Sequence, residues 1–311
     1  MNIYKVRYIP MVVLPVLLLI CACSPSVGTG NSSLTVLQVL QNSAKAMKNL
    51  KSAHIETKTT GTLQTLGAPG TPATGTSTPT PTAAGPLMFK VSGSGDEALP
   101  EQEKLQVTVD QGGNSSPANL AEIVQGDKVY VQNTKGQWYV LDKSALEGFT
   151  GNPFSGINGL DPNALLGLIQ DTRITDHGDE LLNGESLRHI SVALDKAGFK
   201  KILDSDPQLG NLFGQQNIDT ILNSTKLFAS SLDLWIDETN FYVHRTELKV
   251  KVDQGVSSLS QSLTPVVTFP LPAGVITSFD STLDLSKFND PVTITPPTGA
   301  IPTDNPISIF S

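Results

Sequence analysis

Apolar residues recur at every second position through most of this chain, and that period of two restricts its possible folds more than any other feature. In "EKLQVTVD", Leu105, Val107 and Val109 alternate with polar residues. "SLRHISVALD" puts Ile190, Val192 and Leu194 on one face. "FASSLDLWID" sets Phe228, Leu232, Leu234 and Ile236 against Ser231, Asp233, Trp235 and Asp237. "FYVHRTELKVKVD" sets Tyr242, Leu248, Val250 and Val252 against Arg245, Glu247, Lys249 and Lys251, and "SFDSTLDLS" does the same with Phe279, Leu283 and Leu285. Successive side chains of a strand point to opposite faces, so each segment has one apolar and one wet side, as in an antiparallel sheet. In "AEIVQGDKVYVQNTKGQWYVLD", Gly126-Asp127 and the stretch from Asn133 to Gly136 are turn signals, which makes a three-strand meander. A sheet of about ten such strands has to curl, and its apolar side needs a cover.

Helical periodicity is rare. "SLTVLQVLQNSAKAMKNLKS" carries Val36, Leu37, Leu40, Ala44 and Met47 at helical spacing, with Ser32 or Ser33 as N-cap and Lys45, Lys48 and Lys51 toward the C-terminal, negative end of the dipole. Its polar face is thinly charged, which suits packing on a sheet better than lying on a membrane. "DPNALLGLIQD" offers Asp161 as N-cap and Pro162 at the first helical position. "DKAGFKKILDS" and "NIDTILNS" are shorter candidates. The expected fold is therefore α+β: a large curved antiparallel sheet whose concave apolar face is closed by those helices or by something else. The Pro/Gly/Thr/Ala tract "GAPGTPATGTSTPTPTAAGP", residues 67–86, is too poor in apolar side chains to order itself and reads as a disordered loop inserted in a hairpin.

The N-terminus carries a different signal. Lys5 and Arg7 precede an apolar run from Ile9 to Ala22 that is interrupted by Pro10 and Pro15, too short and too broken for a comfortable transmembrane helix. Ile20-Cys21-Ala22-Cys23 then resembles a bacterial lipobox: aliphatic, small, small, cysteine. In such signals the last cysteine is acylated and becomes the mature N-terminus, so Cys23 is the expected lipid attachment site, with 1–22 the signal peptide and 23–33 a flexible tether. The chain has only these two cysteines, so a Cys-x-Cys metal half-site has no second pair, and bridging them would be strained. Two or three acyl chains, at about 0.8 kcal/mol per buried methylene, hold a protein firmly to a membrane. The expected location is the extracytoplasmic face of the cell membrane. The formal charge is −8, and loss of residues 1–22 removes two cations and no acid, which argues against nucleic acid as a partner.

Chemistry-bearing motifs are missing. His54, His177, His189 and His244 are not spaced in sequence as zinc ligands, and there is no G-x-S-x-G, no phosphate-cradling glycine loop and no H-E-x-x-H. His189 and His244 stand beside Arg188 and Arg245 on alternating strands, where surface exposure is the ordinary reading. "DTRITDHGDE", residues 171–180, gathers four carboxylates around a histidine but lacks the Asp-x-Asp-x-Asp-Gly order of a calcium loop, and reads as a solvated loop. No convergent catalytic set can be assembled, so no enzyme, no metal and no cofactor is expected.

The lipobox, the tether, the opening "VLQVLQNSAKAMKNLKSAHIE" and the strand meander together resemble the LppX/LprG group of bacterial lipoproteins, within the LolA/LolB-like superfamily. Closer echoes are "IVQGDKVYVQNTKGQWYVLD", "LDLWIDETNFYVHRTELKV" with Trp235-Ile236-Asp237 followed by Arg245, and "STLDLSKFNDPVTITPP". The likeness spans residues 34–297, leaving 298–311 as a C-terminal tail. The resemblance implies a half-barrel that holds the acyl chains of a lipid or lipoglycan between sheet and helices, for carriage or transfer. The lining expected on that basis is Phe228, Leu232, Leu234, Ile236, Leu248, Val250, Ile190, Val192, Leu165 and Leu168. A rival expectation is a binding or sensor module of the envelope with the same half-barrel and a filled core.

Overall fold

The computed structural model describes residues 33–65, 86–112, 116–146, 173–205, 219, 222–223, 227–253 and 274–309. Their strands join one open sheet of twelve: β1 (Ser52–Thr65), β2 (Pro86–Ala98), β3 (Gln102–Asp110), β4 (Ala118–Gln125), β5 (Lys128–Gln132), β6 (Trp138–Asp142), β7 (Arg173–Leu182), β8 (Glu185–Leu194), β9 (Leu227–Ile236), β10 (Val243–Asp253), β11 (Gly274–Ser286) and β12 (Ile301–Pro302). The spatial order is β12-β6-β5-β4-β3-β2-β1-β11-β10-β9-β8-β7. Two antiparallel meanders, β1 to β6 and β7 to β11, therefore meet at one seam where β1 pairs with β11 from His54↔Ser286 to Thr65↔Gly274. Only β12 runs parallel to its neighbour, β6. The sheet does not close on itself, and the half-barrel implied by the sequence resemblance is the architecture found.

The helices bounded within the described residues are α1 (Val36–Lys48), the single turn α2 (Lys143–Leu146) and α3 (Lys196–Ser205). The N-cap of α1 is Thr35, not Ser32 or Ser33. Its hydroxyl accepts from the Gln38 amide while the Gln38 side chain accepts from the Thr35 amide, a reciprocal capping box. The buried stripe of α1 is Val39, Leu40, Ser43 and Ala44, and Leu37 faces outward at 47% exposure. Asp195 caps α3 by accepting from the Gly198 amide at 2.7 Å, which places Phe199, Ile202 and Leu203 on its buried side.

Turn chemistry sets the registers. Gly126 (φ +57°) permits the tight β4–β5 turn, and Asn133 Oδ1 accepts from the amides of Lys135 and Gln137 to shape β5–β6. Asp237 takes the amides of Thr239, Asn240 and Tyr242 and so closes the β9–β10 hairpin. Past β11, Asn289 (φ +61°) accepts from the Lys51 amide and donates to the Tyr242 hydroxyl, while Ser52 Oγ donates to the Asp290 carbonyl. These bonds clamp the α1–β1 junction, which gives "LDLWIDETNFY" and "SKFND" a structural part in the fold.

Four sequence expectations need correcting. "DTRITDHGDE" is not a loop: from Arg173 it forms edge strand β7, with a register shift between Asp176 and Gly178. Arg188 is not exposed but buried, paired with both carboxylate oxygens of Asp176 (Nε–Oδ1 2.7 Å) and with Glu238 (3.2 Å). In β10 a register shift between Val243 and Arg245 turns Val243 into the core while Tyr242 stacks on Phe288, so simple alternation from Tyr242 fails there. Within the tail 298–311, Ile301–Pro302 adds β12, and Ile309, in the 3₁₀ turn Pro306–Ile309, is buried in the core. The tail thus belongs to the fold at Ile301–Pro302 and again at Ile309. Pro86, the last residue of the 67–86 tract, opens β2 opposite Gln64, and 67–85 lie outside the described residues.

Candidate functional site: the covered apolar face

Directly opposed residues on neighbouring strands share a face. Ile190 pairs with Leu234 and Val192 with Leu232 across β8–β9, and Leu232 with Leu248 across β9–β10. Val250 pairs with Phe279 across β10–β11. On the other meander Phe89, Leu105, Val107, Leu120, Val129, Val131 and Leu141 line the same interior. All of these join one cluster with Val39 and Leu40 of α1 and Phe199, Ile202 and Leu203 of α3. The helices lie over the apolar face: the Phe199 ring meets Phe228 at 5.4 Å between centroids, and Met47 Sδ accepts from the Val243 amide.

Eight of the ten lining residues expected from the sequence are thus brought together. Ile190, Leu232 and Ile236 are at 0% exposure, Leu234, Leu248, Val192 and Val250 are buried, and Phe228 packs half-buried at the margin. Leu165, Leu168 and Cys23 lie outside the described residues, as does most of "NIDTILNS".

Two polar atoms on this face have no hydrogen-bond partner among the described residues: Glu122 Oε2 and Ser230 Oγ. Glu122 stands opposite Leu105 on β3 and Val131 on β5. Burial, reinforced by Glu103 and opposed by Lys143, holds its carboxyl well above the ordinary carboxylate range. Sequence reasoning passed over Glu122, although its place between Leu120 and Val124 in the alternation of "NLAEIVQ" marks it as inward-facing. Ser230 interrupts the series Phe228, Leu232, Leu234 in the same way.

The other face of the sheet is polar but not simply wet. Trp235 is only 7% exposed, stacked between the His189 ring (4.3 Å between centroids) and the Arg245 guanidinium (5.9 Å), which in turn pairs with Asp284. This gives the Trp235-Ile236-Asp237 and Arg245 echo a structural reason: the aromatic ring is held by the cation on the next strand. Two troughs of about 490 and 560 Å³ cross this face, one edged by Thr60, Lys249, Lys251 and Asp280, the other by Glu56, Lys58, Gln106 and Gln132. Among the described residues no helix is long and apolar enough to cross a membrane.

An open antiparallel sheet with a helix-covered apolar interior defines a half-barrel. No family model and no curated protein matches the chain. Among solved structures it is similar to the lipoprotein LppX of Mycobacterium tuberculosis, at 18% identity and a TM-score of 0.42 over 83% of this chain and 97% of that one. It is similar also to LprF of Mycobacterium bovis, at 18% identity and 0.43 over 85% and 97%. A domain from Vibrio parahaemolyticus named for outer membrane lipoprotein sorting matches at 9% identity and 0.26 over 83% and 93%. The strand order itself rests on this chain's own pairing.

Proposed function

We propose that this chain is a lipoprotein anchored through Cys23 on the outer face of a cell membrane, where it binds acyl chains of a lipid or lipoglycan for carriage or transfer. The observation that carries the reading is the interior itself. One side of the sheet is apolar across both meanders, and among the described residues its cover consists of the helices α1 and α3. Acyl chains offer no hydrogen bonds to read, so such a carrier needs apolar volume and a movable cover more than a precise constellation. The unpartnered Glu122 Oε2 and Ser230 Oγ supply polar points where an ester or hydroxyl at the head of the acyl chains can be met. Nothing in this role calls for a catalytic set, a cofactor or nucleic acid.

A second reading is favoured by a specific observation: the lining residues are already buried against α1 and α3 in one cluster. On that reading the half-barrel is filled and the protein is a binding or sensor module of the envelope. Leu234→Trp separates the two. Over an adaptable cavity the larger ring takes the place of lipid, so extracted lipid falls while the urea midpoint changes by less than the ~1–3 kcal/mol that overpacking costs. A destabilised Leu234→Trp beside a wild type that carries no lipid by native mass spectrometry would leave the filled half-barrel.

A further inference from the structure

On the polar face, strands β7, β8 and β9 bring together three side chains that are far apart in sequence. His177, His189 and Asp233 each direct a ligating atom so that all three atoms lie within 4.8 Å of one another. His189 Nε2 is 3.1 Å from Asp233 Oδ1, while its other nitrogen, Nδ1, is 2.8 Å from Glu180 Oε2. The same Glu180 oxygen accepts from Trp235 Nε1 at 3.1 Å, and the Trp235 ring stacks on His189, so the imidazole is fixed in plane and direction. With the Nδ1 proton given to Glu180, the Nε2 lone pair faces a carboxylate oxygen. An Nε2 lone pair beside a carboxylate oxygen is a pair of donor atoms that one cation can take together.

The geometry points to a transition-metal site of the zinc type, formed by His177, His189 and Asp233, with Glu180 as the carboxylate that orients His189. Zinc takes imidazole nitrogen and carboxylate oxygen at about 2.0–2.2 Å, so two of its ligand atoms stand no more than about 4.2 Å apart, and the 3.1 Å between His189 and Asp233 already fits. A histidine that ligates a metal characteristically gives its other N–H to a carboxylate, as His189 does to Glu180. His177 is the side chain that must move, turning out of its stack on the His189 ring at 4.3 Å between centroids. It is exposed and sits on an edge strand, in the register shift between Asp176 and Gly178, outside the regular ladder. The Ser191 hydroxyl, which bridges His177 Nε2 (2.8 Å) and Asp233, leaves the centre by rotating about its own χ1. Three protein ligands leave a fourth position for water, and the bound ion ties the bulged edge strand to the two strands behind it.

The test uses untagged, chelator-stripped protein titrated with Zn²⁺ by calorimetry, and with Cu²⁺ by quenching of Trp235 fluorescence in a Trp138→Phe background. The wild type should bind one Zn²⁺ per chain saturably and melt higher with it. His177→Ala, whose exposed position leaves the fold intact, and Asp233→Asn should each abolish that binding and the thermal shift. Glu180→Gln, which keeps every ligand, should weaken affinity by about tenfold or more. Cu²⁺ should quench Trp235 to saturation at one equivalent in the background protein and lose that saturation when His177→Ala is added. Absence of saturable Zn²⁺ binding to the wild type, or wild-type binding by His177→Ala, would overturn the site. In the second case the ion would belong to another histidine, such as His54 beside Asp96 or His244 beside Glu185.

Discussion

An ionised Glu122 would face Leu105 on one side and Val131 on the other, with its Oε2 unpaired among the described residues. The fold therefore holds the proton more tightly than the unfolded chain does. The sign follows from that. The folded state has its full advantage below the unfolded carboxyl's range, near pH 4, and loses it as pH rises toward the folded value, at about 1.4 kcal/mol per pH unit. Glu122→Gln keeps the shape and is neutral at every pH. Its urea midpoint is expected to match the wild type near pH 4 and to exceed it increasingly toward pH 8; a constant offset would mean that the carboxylate is solvated. Arg188 is the opposite case, a buried cation whose charge is met by Asp176 and Glu238, and the guanidinium in turn holds the Asp176 carboxyl below its ordinary range. Both residues were hard to read in the sequence for one reason. Alternation tells which face a residue takes, but not that a charged side chain on the inner face is kept there by partners from other strands.

At the scale of elements, what period two marks, the fold contains. β3 to β6 and β8 to β11 lie where alternation and turn residues put them, and "DKAGFKKILDS" is α3 with the Asp195 cap its first residue advertises. What alternation hides is irregularity. The shifts at His177 and after Val243 each reverse the inside–outside order, and β7 was missed because its carboxylates suggested solvent. β12 is two residues long and contains Pro302, so no pattern could announce it; it exists because the chain returns along β6, with Thr303 donating to the Val140 carbonyl. Its cost can be measured. Ile309→Ala empties a fully buried position and is expected to lower stability by about 2–5 kcal/mol, seen as a lower thermal midpoint. A dispensable tail would show no change. The two edges are themselves guarded, β7 by its bulge and charged side chains and β12 by brevity and proline, which disfavours edge-to-edge association.

At the scale of the whole molecule, the apolar interior was legible as a continuous face, while its roof was legible only where helical spacing is strong. The proposed anchor belongs to this scale because it decides where the interior works. Cys23→Ala is expected to leave an unprocessed precursor without palmitate label and to release the domain from membranes, whereas Cys21→Ala should be labelled and retained. Labelled Cys23→Ala would refute the assignment. The seam has a consequence of another kind. Each meander is assembled from hairpins between near neighbours, but β1 and β11 join residues as distant in sequence as His54 and Ser286. Loop-closure entropy must be met before so remote a pairing returns any contact energy, and long-range pairing slows folding. Until the last long strand, β11, has been made, the inner edge of β1 has no mate. A chain built this way reaches its final shape only after nearly all of it has been made.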